Sequence, residues 1–234
     1  MNCVKKNYNL EMEKTLESFG GRKHSLFLHA CCAPCSSACL ERLVPFFDIT
    51  VYFYNPNIHP QSEYFRRRDE ILMFVKEFNL RNAEKIEIME DSYSPEEFDE
   101  AVRIDLEPEL AFAKEKGERC RRCYEFRMKR AFEQACRLEF DFFATTLTLS
   151  PLKDAEKVNE IGRSLQSLVD SAGKKIPKYL FTDFKKKNGF LRSLQLSDEY
   201  GLYRQSYCGC KYSLANSLRE KAEKNNVQAE DSGS

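Results

Sequence analysis

The sequence predicts an α/β protein with a mostly parallel sheet flanked by helices. Short segments rich in aromatic and β-branched residues alternate along the chain with longer segments in which apolar residues recur at helical spacing. Strands that alternate with helices form βαβ units, whose helices cover both faces of the sheet. The chain of 234 residues is long enough for one such domain with a substantial core.

Each predicted element has a local signal. The predicted strands are bounded by turn residues such as Asn-Pro-Asn, and they cover residues 25–30, 47–57, 85–90, 140–149 and 178–184. The predicted helices have amphipathic spacing and cover residues 36–47, 62–79, 94–104, 120–138 and 154–170. Ser36 or Ser37 is suited to cap the first of these helices, and Ser94, followed by Pro95, the third.

The two ends of the chain differ from its middle. Residues 1–22 are polar and end in Gly20-Gly21, which predicts an N-terminal extension that is either a helix or a tail. Residues 220–234 predict a polar C-terminal tail, and residues 23–219 hold the predicted domain. The chain has neither a secretory signal nor an apolar run long enough for a membrane span, so we expect a cytoplasmic protein without a membrane partner.

Seven of the ten cysteines lie in three clusters. These are Cys31-Cys32-x-x-Cys35, Cys120-x-x-Cys123 and Cys208-Gly-Cys210. In a reducing compartment such clusters indicate metal binding or redox chemistry rather than disulfides. Thiolates favour iron–sulfur clusters, zinc or Cu(I). Seven thiols exceed the needs of one tetrahedral ion, so we favour an iron–sulfur cluster with a second metal, while a structural zinc and a reactive dithiol remain alternatives.

Five motifs together resemble those of the QueH-type epoxyqueuosine reductases. They are HACCAPC (29–35), YNPNIHPQSEYFRR (54–67), ERCRRCYEFRM (118–128), ATTLTLSPLK (144–153) and LYRQSYCGCKYS (202–213). The resemblance implies a Rossmann-like fold related to the PP-loop, or adenine nucleotide hydrolase-like, proteins. It also implies a [4Fe–4S] cluster and an adjacent mononuclear iron. Residues 23–219 would then form the metal-binding catalytic domain.

The implied reaction is the last step of queuosine biosynthesis. It is a two-electron deoxygenation of the epoxide of epoxyqueuosine in a tRNA anticodon loop, and it needs an unidentified low-potential electron donor. Two other functions stay open at this point: a zinc-stapled tRNA-binding protein and a thiol-disulfide oxidoreductase. The chain has no glycine-rich dinucleotide fingerprint, no Walker-type lysine loop and no evident cobalamin motif, so we expect turnover without cobalamin or ATP.

Further site residues are predicted from their chemistry and position. His59 and Tyr203 are candidate catalytic residues, with His59 as a proton donor. Basic residues close to the motifs are candidates for tRNA binding. They are Arg66, Arg67, Arg121, Arg122, Lys153 and Arg204. Runs of charge most often form a solvated helix face, so this second interpretation is kept for the arginine-rich helices.

Overall fold

Five strands form one parallel sheet. The computed structural model describes residues 6–167, 175–219 and 222. The strands are β1 His24–Ala30, β2 Phe47–Phe53, β3 Glu87–Glu90, β4 Phe142–Thr145 and β5 Lys178–Tyr179, and their order in the sheet is β3-β2-β1-β4-β5. All four pairs of neighbouring strands are parallel. The predicted α/β class, with a Rossmann-like parallel sheet, is confirmed.

Helices cover both faces of this sheet. They are α1 Tyr8–Glu17, α2 Ala33–Leu43, α3 Gln61–Asn82, α4 Pro95–Val102, α5 Glu118–Arg137, α6 Ala155–Gln166 and α7 Gly189–Glu199. Residues 211–219 are also helical. Leu26 and Leu28 of β1 pack with α2, α3 and α7, whereas Phe27 packs with α5 and α6 on the other face. In the described part of the chain, no helix is both long and apolar enough to cross a membrane.

The strand order places a switch point beside β1. The chain starts the sheet in its middle, adds β2 and β3 on one side, and then returns to add β4 and β5 on the other. In open α/β sheets, ligands bind outside the carboxyl ends of the strands at such a reversal. A site is therefore expected where β1 and β4 end, next to Cys31 and Thr146.

The N-terminal segment contributes to the core. Helix α1 is capped by the Asn7 side chain, which accepts a hydrogen bond of 3.1 Å from the Leu10 amide. Met12 and Leu16 of this helix are buried in the same apolar cluster as Leu26 of β1. Of the two forms predicted for residues 1–22, the helix is the one observed from Tyr8 onward. The predicted C-terminal tail lies outside the described residues, except for residue 222.

The first predicted helix begins three residues earlier than expected. Helix α2 starts at Ala33, and its N-cap is Cys32 rather than Ser36 or Ser37. Cys32 has an extended backbone, and its Sγ accepts a hydrogen bond of 3.3 Å from the Cys35 amide. A thiol thus takes the capping role that the sequence analysis gave to a hydroxyl.

Two predicted strands are shorter than expected. Strand β4 ends at Thr145, whose Oγ1 accepts a 3.2 Å hydrogen bond from the Leu147 amide and turns residues 146–149 into a 3-10 helix. Strand β5 has two residues, because the Thr182 amide bonds to the Asn159 side chain of α6 instead of a neighbouring strand. In both places a side-chain acceptor replaces the next bond of the sheet.

Helix α7 was not predicted. It has no side-chain cap, since Asn188 before it adopts the left-handed conformation with φ of 60° and makes no capping bond. Its first residue, Gly189, is required by packing, because a Cβ there would lie 1.8 Å from the Phe184 carbonyl oxygen. Leu196 is the apolar residue of this helix that is buried in the core. Helix α7 therefore begins after an asparagine, a common N-cap residue, but without the capping hydrogen bond that usually accompanies it.

A carboxylate joins the beginnings of β1 and β4. Asp141 Oδ2 accepts hydrogen bonds of 2.9 Å from both the amide and the hydroxyl of Ser25, and Lys175 Nζ lies 2.6 Å from Oδ1. The Lys175 hydrogen bond is the main cause that lowers the pKa of Asp141 to about 2, with the Ser25 bonds adding to it.

We expect this lowered pKa to appear in the pH dependence of stability. Because the folded pKa lies below the unfolded value of about 3.9, the contribution is complete above that pH and is lost as pH falls towards 2. Partial exposure limits it to about 1 kcal/mol. The free energies of unfolding of wild type and Asp141→Asn should therefore be similar near pH 2 and differ at pH 5. A difference that stays constant between these pH values would contradict this assignment.

Candidate metal centre

The first cysteine cluster lies at the switch point of the sheet. Cys31 and Cys32 follow β1 directly, and the Cys31 amide donates a 3.4 Å hydrogen bond to Thr146 Oγ1 at the end of β4. The Cys31 sulfur lies 3.7 Å from the same hydroxyl. The loops after β1 and β4 thus meet at one edge of the sheet, as the sequence predicts.

Cys31, Cys32 and Cys35 form a compact group of sulfur atoms. Their three Sγ atoms lie within 4.8 Å of one another. The Sγ atoms of Cys31 and Cys32 are 3.9 Å apart. Two thiolates at about 2.3 Å from one tetrahedral ion lie about 3.8 Å from each other. The spacing therefore suits joint ligation of a single metal ion.

The protonation states of these thiols are unequal. Hydrogen bonds with Cys32 and Cys35 lower the pKa of Cys31 well below its usual range. Burial, followed by the bond to Cys31, raises the pKa of Cys32 to about 12. The group therefore favours one thiolate, at Cys31, before any metal binds. Metal binding displaces the remaining protons.

The other four predicted ligands gather beside this group. Cys120 and Cys123 lie in the first two turns of α5, and Cys123 is buried in one apolar cluster with Cys210. Burial is the main cause that raises the pKa of Cys123 to about 12; Arg127 opposes it, and the nearby thiols of Cys208 and Cys210 add to it. These four thiols therefore lie near one another, and Cys208 shares a cavity wall with Cys35 of the first group.

Glycine is required between Cys208 and Cys210. Gly209 has φ of 134°, in the region that side chains avoid, and a Cβ there would lie 3.1 Å from Arg67 Nη1. The same nitrogen donates a 3.2 Å hydrogen bond to the Cys208 carbonyl oxygen. Arg67 therefore holds the loop that carries two of the predicted ligands.

Buried cations surround the sulfur atoms. Arg127 has 2 % exposure and donates from Nη1 to the Cys123 sulfur at 3.9 Å and from Nη2 to the Asn55 side chain. Its Nε has no hydrogen-bond partner among the residues that the structure describes. Lys153 has 5 % exposure. Burial alone would lower the Lys153 pKa, but the thiols of Cys208 and Cys31 outweigh it and raise that pKa.

This charge distribution is a test of whether an anionic metal centre fits. Within the described residues, the buried side chains that carry a positive charge outnumber the one buried carboxylate, which is Glu70. They are Arg67, Arg119, Arg127 and Lys153. Buried charges are rarely left unpaired, because the cost is several kcal/mol per ion. Glu63 pairs with Arg67 at 2.7 Å, and thiolates are the source of compensation next to Arg127 and Lys153, so the residues present fit a thiolate-bound metal group.

The buried His29 is a structural residue. Its Nδ1 lies 2.9 Å from Thr145 Oγ1, and its Nε2 lies 3.2 Å from the Tyr54 carbonyl oxygen. Burial, with the charge of Arg127 adding to it, lowers the His29 pKa to about 3. The ring is therefore neutral and donates from Nε2, as a hydrogen-bonded histidine that is not a metal ligand.

A cavity opens next to the cysteines. Its wall includes Cys35, Cys208 and Lys153, together with the side chains of Arg204 and Gln205. The remaining lining residues are mainly apolar or small: Pro34, Leu149, Ser150, Pro151, Leu152, Phe190, Ser193 and Tyr207. No carboxylate lines the cavity in the described part of the structure. The cavity therefore connects the cysteine sulfurs to solvent, and its wall carries positive charge.

The predicted catalytic residues are placed away from this cavity. His59 is exposed, and its amide donates a 2.8 Å hydrogen bond to the Gly209 carbonyl oxygen. The Tyr203 ring stacks under the Arg66 guanidinium at 3.3 Å. Neither His59 nor Tyr203 belongs to the cavity wall. Lys153 is the protonated side chain that the wall places next to Cys35 and Cys208.

The predicted tRNA-binding residues fall into different environments. Arg67 is 1 % exposed and bonds to Glu63 at 2.7 Å, which corrects its assignment as a surface phosphate ligand. Lys153 is likewise buried and lies in the cavity wall instead of the outer surface. Arg66 and Arg204 are exposed, and Arg204 lies at the cavity.

Glutamates accompany the two arginines at the start of α5. Arg121 lies between Glu118 and Glu125, and Arg122 makes two hydrogen bonds of 2.9 and 3.0 Å to Glu107. These pairs satisfy much of the charge of both guanidinium groups. For them the solvated, salt-bridged face of a helix is the better interpretation.

Two functional residues were not among the predicted site residues. Gln205 donates from Nε2 to the Cys32 sulfur at 3.1 Å, and Arg127 lies four residues after Cys123 on α5. The spacing of four residues on a helix would have indicated Arg127, since such residues are neighbours on one face. The approach of Gln205 depends on a fold that brings residues 32 and 205 together, and no local pattern shows it.

The fold and the site define a class of protein. It is an α/β protein with a thiol-rich site at the switch point of a parallel sheet, where three cysteine sulfurs are spaced to hold a metal ion. A sequence model of the epoxyqueuosine reductase QueH family matches residues 26–216. The chain belongs to this family.

Relatives of known family cover most of the chain. Epoxyqueuosine reductase QueH from Streptococcus pyogenes serotype M1 is 43% identical over 190 residues, which is 81% of this chain and 70% of that protein. QueH from Staphylococcus aureus strain Mu50 is 37% identical over 214 residues, which is 89% of this chain and 85% of the relative.

A solved structure with some similarity is the U34-tRNA thiolase NcsA from Methanococcus maripaludis with its [4Fe-4S] cluster. It is 14% identical, with a TM-score of 0.43, over 93% of this chain and 72% of that one. A similarity of this degree does not bear on the site.

Proposed function

We propose that the protein is a cytoplasmic epoxyqueuosine reductase that acts on tRNA. It removes the epoxide oxygen of epoxyqueuosine and gives queuosine, the last step of queuosine biosynthesis. The observation that carries this proposal is the compact group of three sulfur atoms beside an open cavity, whose wall includes Cys35 of that group and Cys208. Family membership supplies the substrate class. Residues 23–219 are the catalytic domain in this proposal, and α1 packs against it.

The seven thiols would hold a [4Fe–4S] cluster and an adjacent iron. The proposed ligands are Cys31, Cys32, Cys35, Cys120, Cys123, Cys208 and Cys210. When bound, such a centre supplies electrons one at a time and a Lewis-acidic metal ion. The electrons would come from a low-potential donor, and the buried cations Arg127 and Lys153 would compensate the negative charge of the thiolates.

The reaction needs two electrons and two protons. Both C–O bonds of the epoxide break, a C=C bond forms between the two carbons, and the oxygen leaves as water. Lys153 Nζ holds a proton in the cavity wall, so it can protonate the departing oxygen. In this proposal Lys153 takes the proton-donor role that was predicted for His59. Phe190 and Tyr207 in the same wall can pack against the modified base.

The substrate base is accessible in its natural context. A base in an anticodon loop is already unpaired, so rotating the base out of the loop and into the cavity costs little stacking energy. Arg204 is exposed at the cavity and bonds to Ser197 Oγ at 3.1 Å. Its guanidinium is therefore fixed in a position that suits a phosphate or base next to the modified nucleoside.

We expect anaerobically purified protein to contain iron and inorganic sulfide. With a chemical one-electron reductant it should convert epoxyqueuosine in tRNA without cobalamin or ATP. Mass analysis of the tRNA nucleosides should show the loss of one oxygen atom. A colourless zinc protein, or an epoxide that survives until cobalamin or ATP is added, would contradict the proposal.

A further inference from the structure

Several exposed cations near the cavity have no carboxylate partner. Among the described residues, none of them has a carboxylate oxygen within 4.0 Å, the limit for an ion pair. We refer to these residues as the basic rim: Lys114, Lys116, Lys186, Arg204 and Arg219. They come from four separate parts of the chain, and of the five only Lys186 lies in a local charge run, Lys185-Lys186-Lys187.

The basic rim surrounds the mouth of the cavity. The cavity shares Leu152 and Tyr207 with a neighbouring groove that Lys114 and Arg219 line. It shares Pro151 and Lys153 with a hollow on another side. Lys116 and Lys186 line that hollow. Three concave surfaces therefore meet at residues 150–153, and each carries cations of the basic rim.

Two of the four carboxylates next to the basic rim are paired with other residues. Asp154 caps α6 and lies 3.8 Å from Lys157 Nζ, and Asp183 lies 3.0 Å from Lys185 Nζ. Glu156 and Glu115 line the hollow and the groove without an ion pair among the described residues. The five cations of the basic rim thus exceed these two free carboxylates, and the surface has a net positive charge.

We propose that the basic rim binds the phosphate backbone of the anticodon stem-loop while the modified base occupies the cavity. This inference rests on the proposed function, in which tRNA is the substrate. Phosphodiesters on both sides of an extruded nucleotide diverge from it, and the basic rim places cations on separate sides of one opening. The paired Arg121 and Arg122 do not take this role, because glutamates already compensate them.

The test compares two sets of substitutions. Lys114→Gln, Lys116→Gln and Lys186→Gln are combined in one variant, and Arg121→Gln with Arg122→Gln forms the control. None of these residues lines the cavity. Affinity for tRNA that carries epoxyqueuosine is measured over a range of salt concentrations. The triple variant should reduce the slope of log K against log salt by about two, whereas the control should leave the slope unchanged.

Iron content and single-turnover reduction at saturating tRNA are measured on the same samples. Iron content should match wild type in both variants, and turnover should match wild type in the control with Arg121→Gln and Arg122→Gln. Equal slopes for wild type and the triple variant, with turnover intact in both, would contradict phosphate binding by the basic rim and leave the proposed function standing. Wild type that neither binds nor converts this tRNA would overturn the proposed function instead. The three single-lysine variants guard against misfolding, since each should give a part of the slope change.

Discussion

Replacing Cys31 or Cys123 with alanine should remove bound iron and abolish epoxyqueuosine reduction. These residues represent the two sides of the cysteine site, since Cys31 follows β1 and Cys123 lies on α5. Loss of one thiolate leaves a metal short of its ligands. Loss of an outer-shell partner alone costs about 10- to 100-fold in metal affinity or activity, so loss of a ligand should cost more than about 100-fold. Iron and sulfide analysis and nucleoside mass analysis measure the two effects.

Cys136→Ala is the matched control for both substitutions. Cys136 lies on the same helix, thirteen residues beyond Cys123, or about 20 Å along the helix axis. It should keep both iron and activity. Full iron loading in Cys31→Ala or Cys123→Ala would show that the ligand assignment is wrong, even if activity were lost.

The fold was largely predictable from periodicity. Alternating strands and helices predict a parallel sheet, and the thiols at the end of the first strand then fall at the edge where sites form. The errors lie where a side chain competes with regular structure. Cys32 caps α2 as a thiol, Thr145 ends β4 early, and α7 begins without a capping side chain. Such local hydrogen bonds have no periodic signal.

A candidate metal site was easier to predict from the sequence than the charges around it. Clustered cysteines have few other uses in a reducing compartment, so their spacing alone indicates a metal site. An arginine in a basic run is usually solvated, and the sequence does not tell Arg127, with 2 % exposure, from the half-exposed Arg121 nearby. Burial is a tertiary property, and it separates the arginines near the metal site from those of the outer surface.

Arg127 should therefore matter more to the metal-loaded protein than to the metal-free protein. In the metal-free protein the group of Cys31, Cys32 and Cys35 favours a single thiolate, at Cys31. Burial keeps the Cys123 thiol protonated. Metal binding deprotonates all the ligands, and the buried guanidinium then compensates a larger negative charge. The interaction grows when the metal binds, and its removal should weaken metal binding.

We expect Arg127→Met to lower metal affinity about 10- to 100-fold. By linkage, the metal would then stabilise the folded protein by about 1.4 to 2.7 kcal/mol less. Methionine fills much of the same volume without the charge, and Arg127→Lys, which keeps the charge but not the planar fork, should lose less. Iron retention against a chelator and thermal unfolding of both forms under anaerobic conditions measure these effects.

Arg130→Met is the control, because Arg130 is the next arginine after Arg127 on α5. Its side chain is partly exposed and pairs with Asp91 at 2.9 Å instead of with sulfur. Its loss should change the stability of the metal-loaded and metal-free forms equally and leave iron retention unchanged. If Arg127→Met also lowered the melting temperatures of both forms by the same amount, Arg127 would be a packing residue. A larger drop in the metal-loaded form is the result that a compensating charge requires, since only that form has the additional thiolates.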